Sequence, residues 1–428
     1  MKTPIGTFRW TVVALLFFAT TINYLDRQVI GLLKPALEKA LLWTEIDYSH
    51  IVMAFSTAYA AGLLISGRII DRIGTKMGYA IAIIAWSLAA IGHALARTTF
   101  GFGVARAALG LGESGNFPVA IKAIAQWFPQ KERALATGIF NSGANIGAVV
   151  APVMVPWILG IWDWQMAFIL TGAIGFVWLI FWQIYYEIPA RQKRLSQVEY
   201  DYIHEAAIRE QTINEKPIRW LQLLKVRQTW AFFFGKLLTD PIWWFFLFWL
   251  PSYFSTTFQI DLKKPSLELA AVYTATTIGS IGGGYLSGYF IKLGWPVFRA
   301  RKTAMLIFAG CVVPVVLAQY ATNVWAAVGL ISLAAAAHQA WSANIYTIAS
   351  DMFPHRALSS VVGIGGMAGA TGGILFPLFV GQLLDAYKVA GNIHAGYNLL
   401  FVVCGCAYLV AWGVMHLFAP RMETVRFE

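Results

Sequence analysis

Apolar blocks of about 20 residues recur along the whole chain, the length an α-helix needs to cross a ~30 Å hydrocarbon layer. Lipid offers backbone amides no partner, so a spanning block must satisfy its own hydrogen bonds, and it does so as a helix. Twelve spans are predicted, at residues 9–33, 49–70, 77–96, 100–124, 134–160, 165–187, 228–257, 268–291, 301–321, 324–350, 358–384 and 395–418. Composition agrees. Of 428 residues, 58% are hydrophobic and only 12% charged, against roughly 25% charged in a soluble domain. The expected fold is all-α integral membrane, with twelve transmembrane helices in two pseudo-symmetric six-helix bundles. Residues 188–227 break the pattern with Arg191, Lys193, Arg194, Glu199 and Asp201. They read as a cytoplasmic connecting segment with some amphipathic helix, between a first bundle at 1–187 and a second at 228–428. The first block carries Ala19-Thr20-Thr21, which resembles a signal-peptide cleavage site. Asp26 and Arg27 inside that block argue instead for a functional membrane helix.

Charge sets the orientation. Arg9, Arg68, Arg72, Lys76, Lys131, Arg133, Arg299, Arg301, Lys302, Arg356 and Arg421 fall at one set of loop ends. The opposite set holds few basic residues, Arg97 among them. Cytoplasmic loops are the basic ones, which places both termini in the cytoplasm. Basic loops beside an anionic leaflet also account for the net charge of +11, with no need for nucleic acid. Cys311, Cys404 and Cys406 lie in apolar blocks and suggest neither disulfides nor a metal site. No nucleophile elbow, phosphate loop or metal cluster points to an enzyme, and no cofactor is expected.

The chain repeats itself. Phe128-Pro129 and Arg133-Ala134-Leu135 return as Phe353-Pro354 and Arg356-Ala357-Leu358. Gly138, Gly147 and Pro152 return at one common offset as Gly363, Gly372 and Pro377, and Ser66-Gly67 as Ser287-Gly288. Matches in the same order argue for duplication of a six-helix unit. Small residues let helix backbones approach closely in lipid, and the prolines are expected to mark kinks.

The segment Gly67-Arg68-Ile69-Ile70-Asp71-Arg72-Ile73-Gly74-Thr75-Lys76 resembles the signature loop between helices 2 and 3 of the major facilitator superfamily. Asn23-Tyr24-Leu25-Asp26-Arg27 in helix 1 adds finer likeness, as do Arg106, Gly110, Gly112, Glu113, Gly115, Asn116, Phe117 and Pro118 in helix 4. Gln126-Trp127-Phe128-Pro129 and Phe140-Asn141-Ser142-Gly143 continue it. Together these resemble the anion:cation symporter family. Leu238-Thr239-Asp240-Pro241 and Phe248-Trp249-Leu250-Pro251 in helix 7 are most similar to its hexuronate branch, the galacturonate and glucuronate transporters.

The resemblance implies proton-coupled import of an organic anion by alternating access. Asp26 and Glu113 match the family's protonatable carboxylates, and Arg106 the arginine beside the proton site. Arg27 matches the substrate-carboxylate binder, with Tyr24 beside it, and Tyr59 a substrate-contacting tyrosine. Gly67, Asp71, Arg72 and Gly74 match a conformational latch in which Asp71 pairs with arginines of neighbouring helices. The galactonate branch carries a glutamine where Ala144 stands, with Asn145 next, which favours a uronate. The partners implied are the organic anion, the proton and the bilayer. The fold completes its pathway within one chain, so function as a monomer is expected. Short outer loops favour a bacterial inner membrane.

The charged residues inside the spans suit this chemistry. Each costs ~2.5–3.5 kcal/mol at a helix centre, so they should pair and face a wet cavity. Lys122 lies near a helix end and is expected to snorkel. Arg106 and Glu113 share a face of helix 4 about 10 Å apart, and are expected to meet directly or through Asp26. A proton on such a carboxylate frees the arginine, whose planar fork then holds the substrate anion. The alternative is a set of structural ion pairs. Lys236 and Asp240 are four apart on helix 7, either a structural pair or a substrate contact, and Pro241 is expected to break that helix beside a cavity. On helix 10, Gln339 and Asn344 are candidates for sugar hydroxyls and Trp341 for the pyranose face. His338 beside them is as readily a packing residue. Trp243 and Trp244 either line the site or belong to an interfacial belt. Asn141, Ser142 and Asn145 either bind hydroxyls or join helices. An efflux antiporter is the competing function, and helix 5 matches its glycine pattern only in part.

Overall fold

The computed structural model describes residues 6–42, 45–204, 218–259, 267–421 and 423–425. The first seven helices are α1 (Phe8–Leu41), α2 (Glu45–Ile73), α3 (Thr75–Gly92), α4 (Thr99–Glu113), α5 (Asn116–Trp127), α6 (Gln130–Leu159) and α7 (Trp164–Tyr185). Two short helices follow, α8 (Gln197–His204) and α9 (Trp220–Leu224). The rest are α10 (Arg227–Phe258), α11 (Leu267–Lys292), α12 (Val297–Val312), α13 (Val324–Met352), α14 (His355–Val389) and α15 (Ile393–Phe418). Among the described residues, nine helices are long and apolar enough to cross a membrane. The α4–α5 pair, α10 and α11 complete twelve passes of a multi-pass membrane protein. An even number of passes brings Phe8 at the start of α1 and Phe418 at the end of α15 to one end of the bundle. That end carries Arg68, Arg72, Lys76, Lys131 and Arg133, and is called the basic end below.

Each pass shows one face to lipid and one to protein. On α7, Val177, Ile180, Phe181 and Ile184 are exposed while Trp178 and Trp182 are buried. This is the spacing of a helix with an apolar outer stripe. Within the first six passes α1 packs on α6 and α7, and α2 on α4. Within the last six, α10 packs on α14 and α15, and α11 on α13.

Two spans differ from expectation. The predicted helix at 100–124 is two helices, interrupted at Ser114-Gly115. Pro118 has no N–H to donate to the Ser114 carbonyl one turn back. Ser66 of α2 supplies the missing donor, its hydroxyl reaching the Ser114 carbonyl at 3.1 Å. Conversely, Pro241 does not break α10, which runs unbroken from Arg227 to Phe258. Gly372 of α14 packs on this point. A Cβ there would meet the Leu237 carbonyl at 2.9 Å and the Pro241 ring at 2.6 Å. The neighbouring helix thus covers the carbonyl that the proline orphans. Likewise α6 and α14 remain continuous through positions 152 and 377.

Of the repeated residues, Gly67, Gly138, Gly288 and Gly363 lie where the two sets of six helices meet, while Gly147 packs on α1 and Gly372 on α10 within one set. On the α2–α14 seam a Cβ at Gly67 would strike the Ser359 backbone, and one at Gly363 the Leu63 carbonyl. On the α6–α11 seam Gly138 sits against Ser280, Gly284 against Ala134 and Gly288 against Lys131. The loops after α2 and α11 also match, since Gly74 and Gly294 have φ of 87° and 88°. Glycine adopts that left-handed backbone without steric cost.

Polar contacts close the seams at the basic end. The Arg133 guanidinium donates to the Ser350 carbonyl at 3.0 Å and to Asp351 at 3.3 Å. Arg301 donates to the same Asp351 at 3.1 Å and to the Gln130 carbonyl at 2.7 Å. Below α1, Arg9 bridges Glu132 at 2.9 Å and Glu199 of α8 at 3.0 Å. Residues 205–217, the centre of the connecting segment, lie outside the described residues.

Candidate functional site

A cavity of about 310 Å³ lies between the two sets of helices. Tyr24, Arg27, Tyr59, Asn141 and Asn145 line it from the first set. Lys236, Asp240, Trp243, His338, Gln339, Ser342 and Tyr346 line it from the second.

Arg27 is the cation of the first side. It lies in the middle of α1, and residues 24, 27 and 28 share its cavity-facing stripe. Its Nε and Nη2 both donate to Glu113 Oε2, at 3.0 and 2.8 Å. The rings of Tyr24, Phe55 and Tyr59 surround the guanidinium, with centroids at 4.7, 5.0 and 4.8 Å. These electron-rich faces favour the cation in a site that water barely enters. Glu113 is fully buried at the end of α4, and its Oε1 makes no hydrogen bond among the described residues.

From the spacing on helix 4, Glu113 and Arg106 are expected to meet directly or through Asp26. The structure pairs Glu113 with Arg27 instead. Arg106 turns to α1, donating to the Arg27 carbonyl at 2.8 Å and lying over Phe55 at 5.2 Å. It remains a charged neighbour of both Glu113 and Asp26. Asp26 points away from the cavity. It is buried, beside Thr171 of α7, and neither carboxylate oxygen closes a hydrogen bond among the described residues.

Lys236 is the cation of the second side. It is buried, donating to Asp240 at 2.7 Å and to the Tyr346 hydroxyl at 3.0 Å. Its ammonium also sits 4.3 Å from the Tyr346 ring centroid. It does not snorkel. Trp243 stacks on His338, with centroids 5.3 Å apart and planes within 2°. His338 in turn bonds the Tyr408 hydroxyl. The cavity floor joins the halves, where Asn141 donates to Gln339 at 2.8 Å and to Ser280 at 3.4 Å. Asn145 Nδ2 has no partner among the described residues and is a free donor in the lining.

Trp341 and Asn344 do not join the site. Two positions beyond Gln339 is about 200° around a helix, so Trp341 faces α15, packing edge-on against Tyr408 at 5.5 Å. Asn344 is buried against α11, donating to the Gly283 and Ala340 carbonyls at 2.9 Å each. Sequence reasoning missed Phe55 and Tyr346. Tyr346 was recoverable, because His338, Gln339, Ser342 and Tyr346 form one helical stripe.

At the basic end Asp71 accepts from Lys122 at 2.8 Å and from the Ser360 amide and hydroxyl at 2.8 and 2.7 Å. Its cationic partner is thus a lysine rather than the expected arginines, and Lys122 is buried in that pair rather than snorkelling. Arg72 is exposed. The amide and hydroxyl of Ser360, in the second turn of α14, tie the Asp71 carboxylate to the second set of helices.

The model of the Major Facilitator Superfamily matches residues 16–377. A hexuronate transporter of Escherichia coli (strain K12) is 33% identical over 413 residues, covering 95% of this chain and 94% of that one. A galacturonate transporter of Dickeya chrysanthemi is 36% identical over 285 residues, 66% of this chain and 83% of that one. The solved proton:xylose symporter XylE shares the fold at TM-score 0.76 and 14% identity, covering 97% of each chain. These relatives are transporters, not enzymes. The chain therefore belongs to the Major Facilitator Superfamily, within which it resembles hexuronate transporters.

Proposed function

We propose that the protein is a proton-coupled symporter that imports a hexuronate such as galacturonate or glucuronate. The observation that carries this reading is the Arg27–Glu113 pair at the cavity wall. A cation bound to a carboxylate has no vacancy for a substrate anion. A proton on Glu113 abolishes the pair's charge attraction, and the guanidinium turns its donors to the substrate carboxylate. Substrate binding and protonation thereby require each other. Asp26 and Arg106 form the second layer of this centre: Asp26 exchanges protons with Glu113, and the fixed positive charge of Arg106 sets how readily either carboxylate takes one. Tyr24, Tyr59, Asn141, Asn145, Lys236, Trp243 and Gln339 surround the sugar, and polyol hydroxyls suit their amide and hydroxyl groups.

Transport proceeds by rocking of the two halves, residues 1–187 against 228–428, linked by 188–227. With the basic end in the cytoplasm of a bacterial inner membrane, the contacts of Asp71, Arg133 and Arg301 close the inner side. The Gly67 and Gly74 loop carries the Asp71 latch, and Arg72 flanks it at the surface. The cavity then loads from outside. One chain suffices, as a monomer.

The test is uptake by purified protein in liposomes, with and without an inward proton gradient. Galacturonate should accumulate only with the gradient, and glucuronate should compete. Accumulation without a gradient would remove the coupling, and failure to take up either acid would remove the substrate class.

A further inference from the structure

The cavity has a second cation–carboxylate pair, and the mechanism above gives its carboxylate, Asp240, no role. Lys236 and Asp240 lie on α10, on the wall facing the Arg27–Glu113 pair, and both belong to the lining. The two pairs differ in access. The Glu113 side chain is fully buried and reached only behind Arg27, whereas Asp240 is 22% exposed. Asp240 therefore meets the cavity's water and protons directly. Room for its carboxylate is made by α14, where a Cβ at Gly369 would collide with Asp240 Oδ2.

The charged and titratable groups around Asp240 are few. Lys236 lies on its own helix, His338 and Tyr346 on α13, and Tyr408 on α15, while α14 presents Gly369. Tyr346 and His338 already have partners, since Tyr346 accepts from Lys236 and His338 bonds Tyr408. Lys236 is thus the cation held by Asp240, and among the described residues it has no other carboxylate to hold when Asp240 is neutral.

Resting on the reading of the protein as a proton-coupled sugar-acid carrier, we propose that Asp240 is a second proton acceptor whose protonation releases Lys236 as a second anion-binding arm. An acid with one carboxylate uses the Arg27 pole and one proton. An acid with a carboxylate at each end engages Arg27 and Lys236 together and brings a second proton, which resides on Asp240. The cavity then holds no net charge in either complex, which is the arrangement least costly in a bilayer.

Calorimetric titration of the purified protein in buffers of different ionisation enthalpy counts the protons taken up on binding. The probes are galacturonate, with one carboxylate, and galactarate, with two. Galactarate should take up one proton more than galacturonate at pH 7.5. Asp240→Asn should remove that extra proton, and Lys236→Met should weaken galactarate about tenfold, or 1.4 kcal/mol. Thermal melting confirms that the variants are folded. Equal proton counts for the two acids, or an extra proton that survives Asp240→Asn, would overturn the proposal while leaving galacturonate symport intact. Binding of neither acid would remove the transport reading and this inference with it.

Discussion

Arg27 carries more of the site than any other residue, because it is the cavity cation that Glu113 neutralises. Arg27→Ala should lower galacturonate uptake at least 100-fold, about 2.7 kcal/mol in transition-state terms. Arg27→Lys keeps the charge but loses the two parallel donors, so uptake should fall by roughly tenfold or more. An uptake rate in liposomes within twofold of wild type for either variant would contradict the role given to Arg27. Which residues are charged within the spans was legible from cost in lipid. Which of them pair was not. Arg106 shares a helix with Glu113 at a favourable spacing, yet Arg27 on another helix takes the carboxylate. A single sequence records the phase of each helix and not the rotation of one helix against the next. The same limit explains Lys122, which looks like a snorkelling residue until α2 brings Asp71 to it. Trp341 and Asn344 were different, since the helical phase already separates Trp341 from Gln339.

At the scale of the element, prolines show how neighbouring helices complete one another. Pro118 interrupts the fourth pass and Ser66 repairs the lost bond from α2. Ser66→Ala should destabilise the protein by about 1 kcal/mol, seen as a lower melting temperature in detergent. Pro118→Ala should return the helix's own N–H, so the same serine change should cost less in that background. Equal costs in both backgrounds would show that Ser66 does not serve the Ser114 carbonyl. The twelve apolar blocks were plain in the sequence because length and hydrophobicity are local properties. The break at Ser114-Gly115 and the continuity through Pro241 were not, because each depends on what an adjacent helix offers. Pro241 lies inside an unbroken helix where Gly372 lets α14 press against it.

Across the whole molecule, small residues that include the repeated Gly67, Gly138, Gly288 and Gly363 form the two seams. Gly67 and Gly363 close α2 on α14, while Gly138, Gly284 and Gly288 close α6 on α11. A methyl group at Gly67 or Gly284 has no room in this closed arrangement, so Gly67→Ala or Gly284→Ala should favour opening at the basic end. A cysteine at Ser360 in a cysteine-free background should then react severalfold faster with a membrane-impermeant thiol reagent added from that side. Unchanged labelling would mean that the seams tolerate a Cβ and do not set the equilibrium. The repeat showed in the sequence that a six-helix unit is duplicated and that small residues let helices approach closely, but not which helices meet between the halves. That Asp71, Arg133 and Arg301 all close the same end emerged only from the structure.

The central claim is that a proton on Glu113 frees Arg27 for the substrate. Glu113→Gln tests it most directly, because the amide imitates the protonated acid permanently. In liposomes the variant should exchange internal for external galacturonate at a rate independent of pH between 5.5 and 8, and should fail to accumulate it with an inward proton gradient. Gradient-driven accumulation by Glu113→Gln, or exchange that keeps the pH dependence of wild type, would contradict the account.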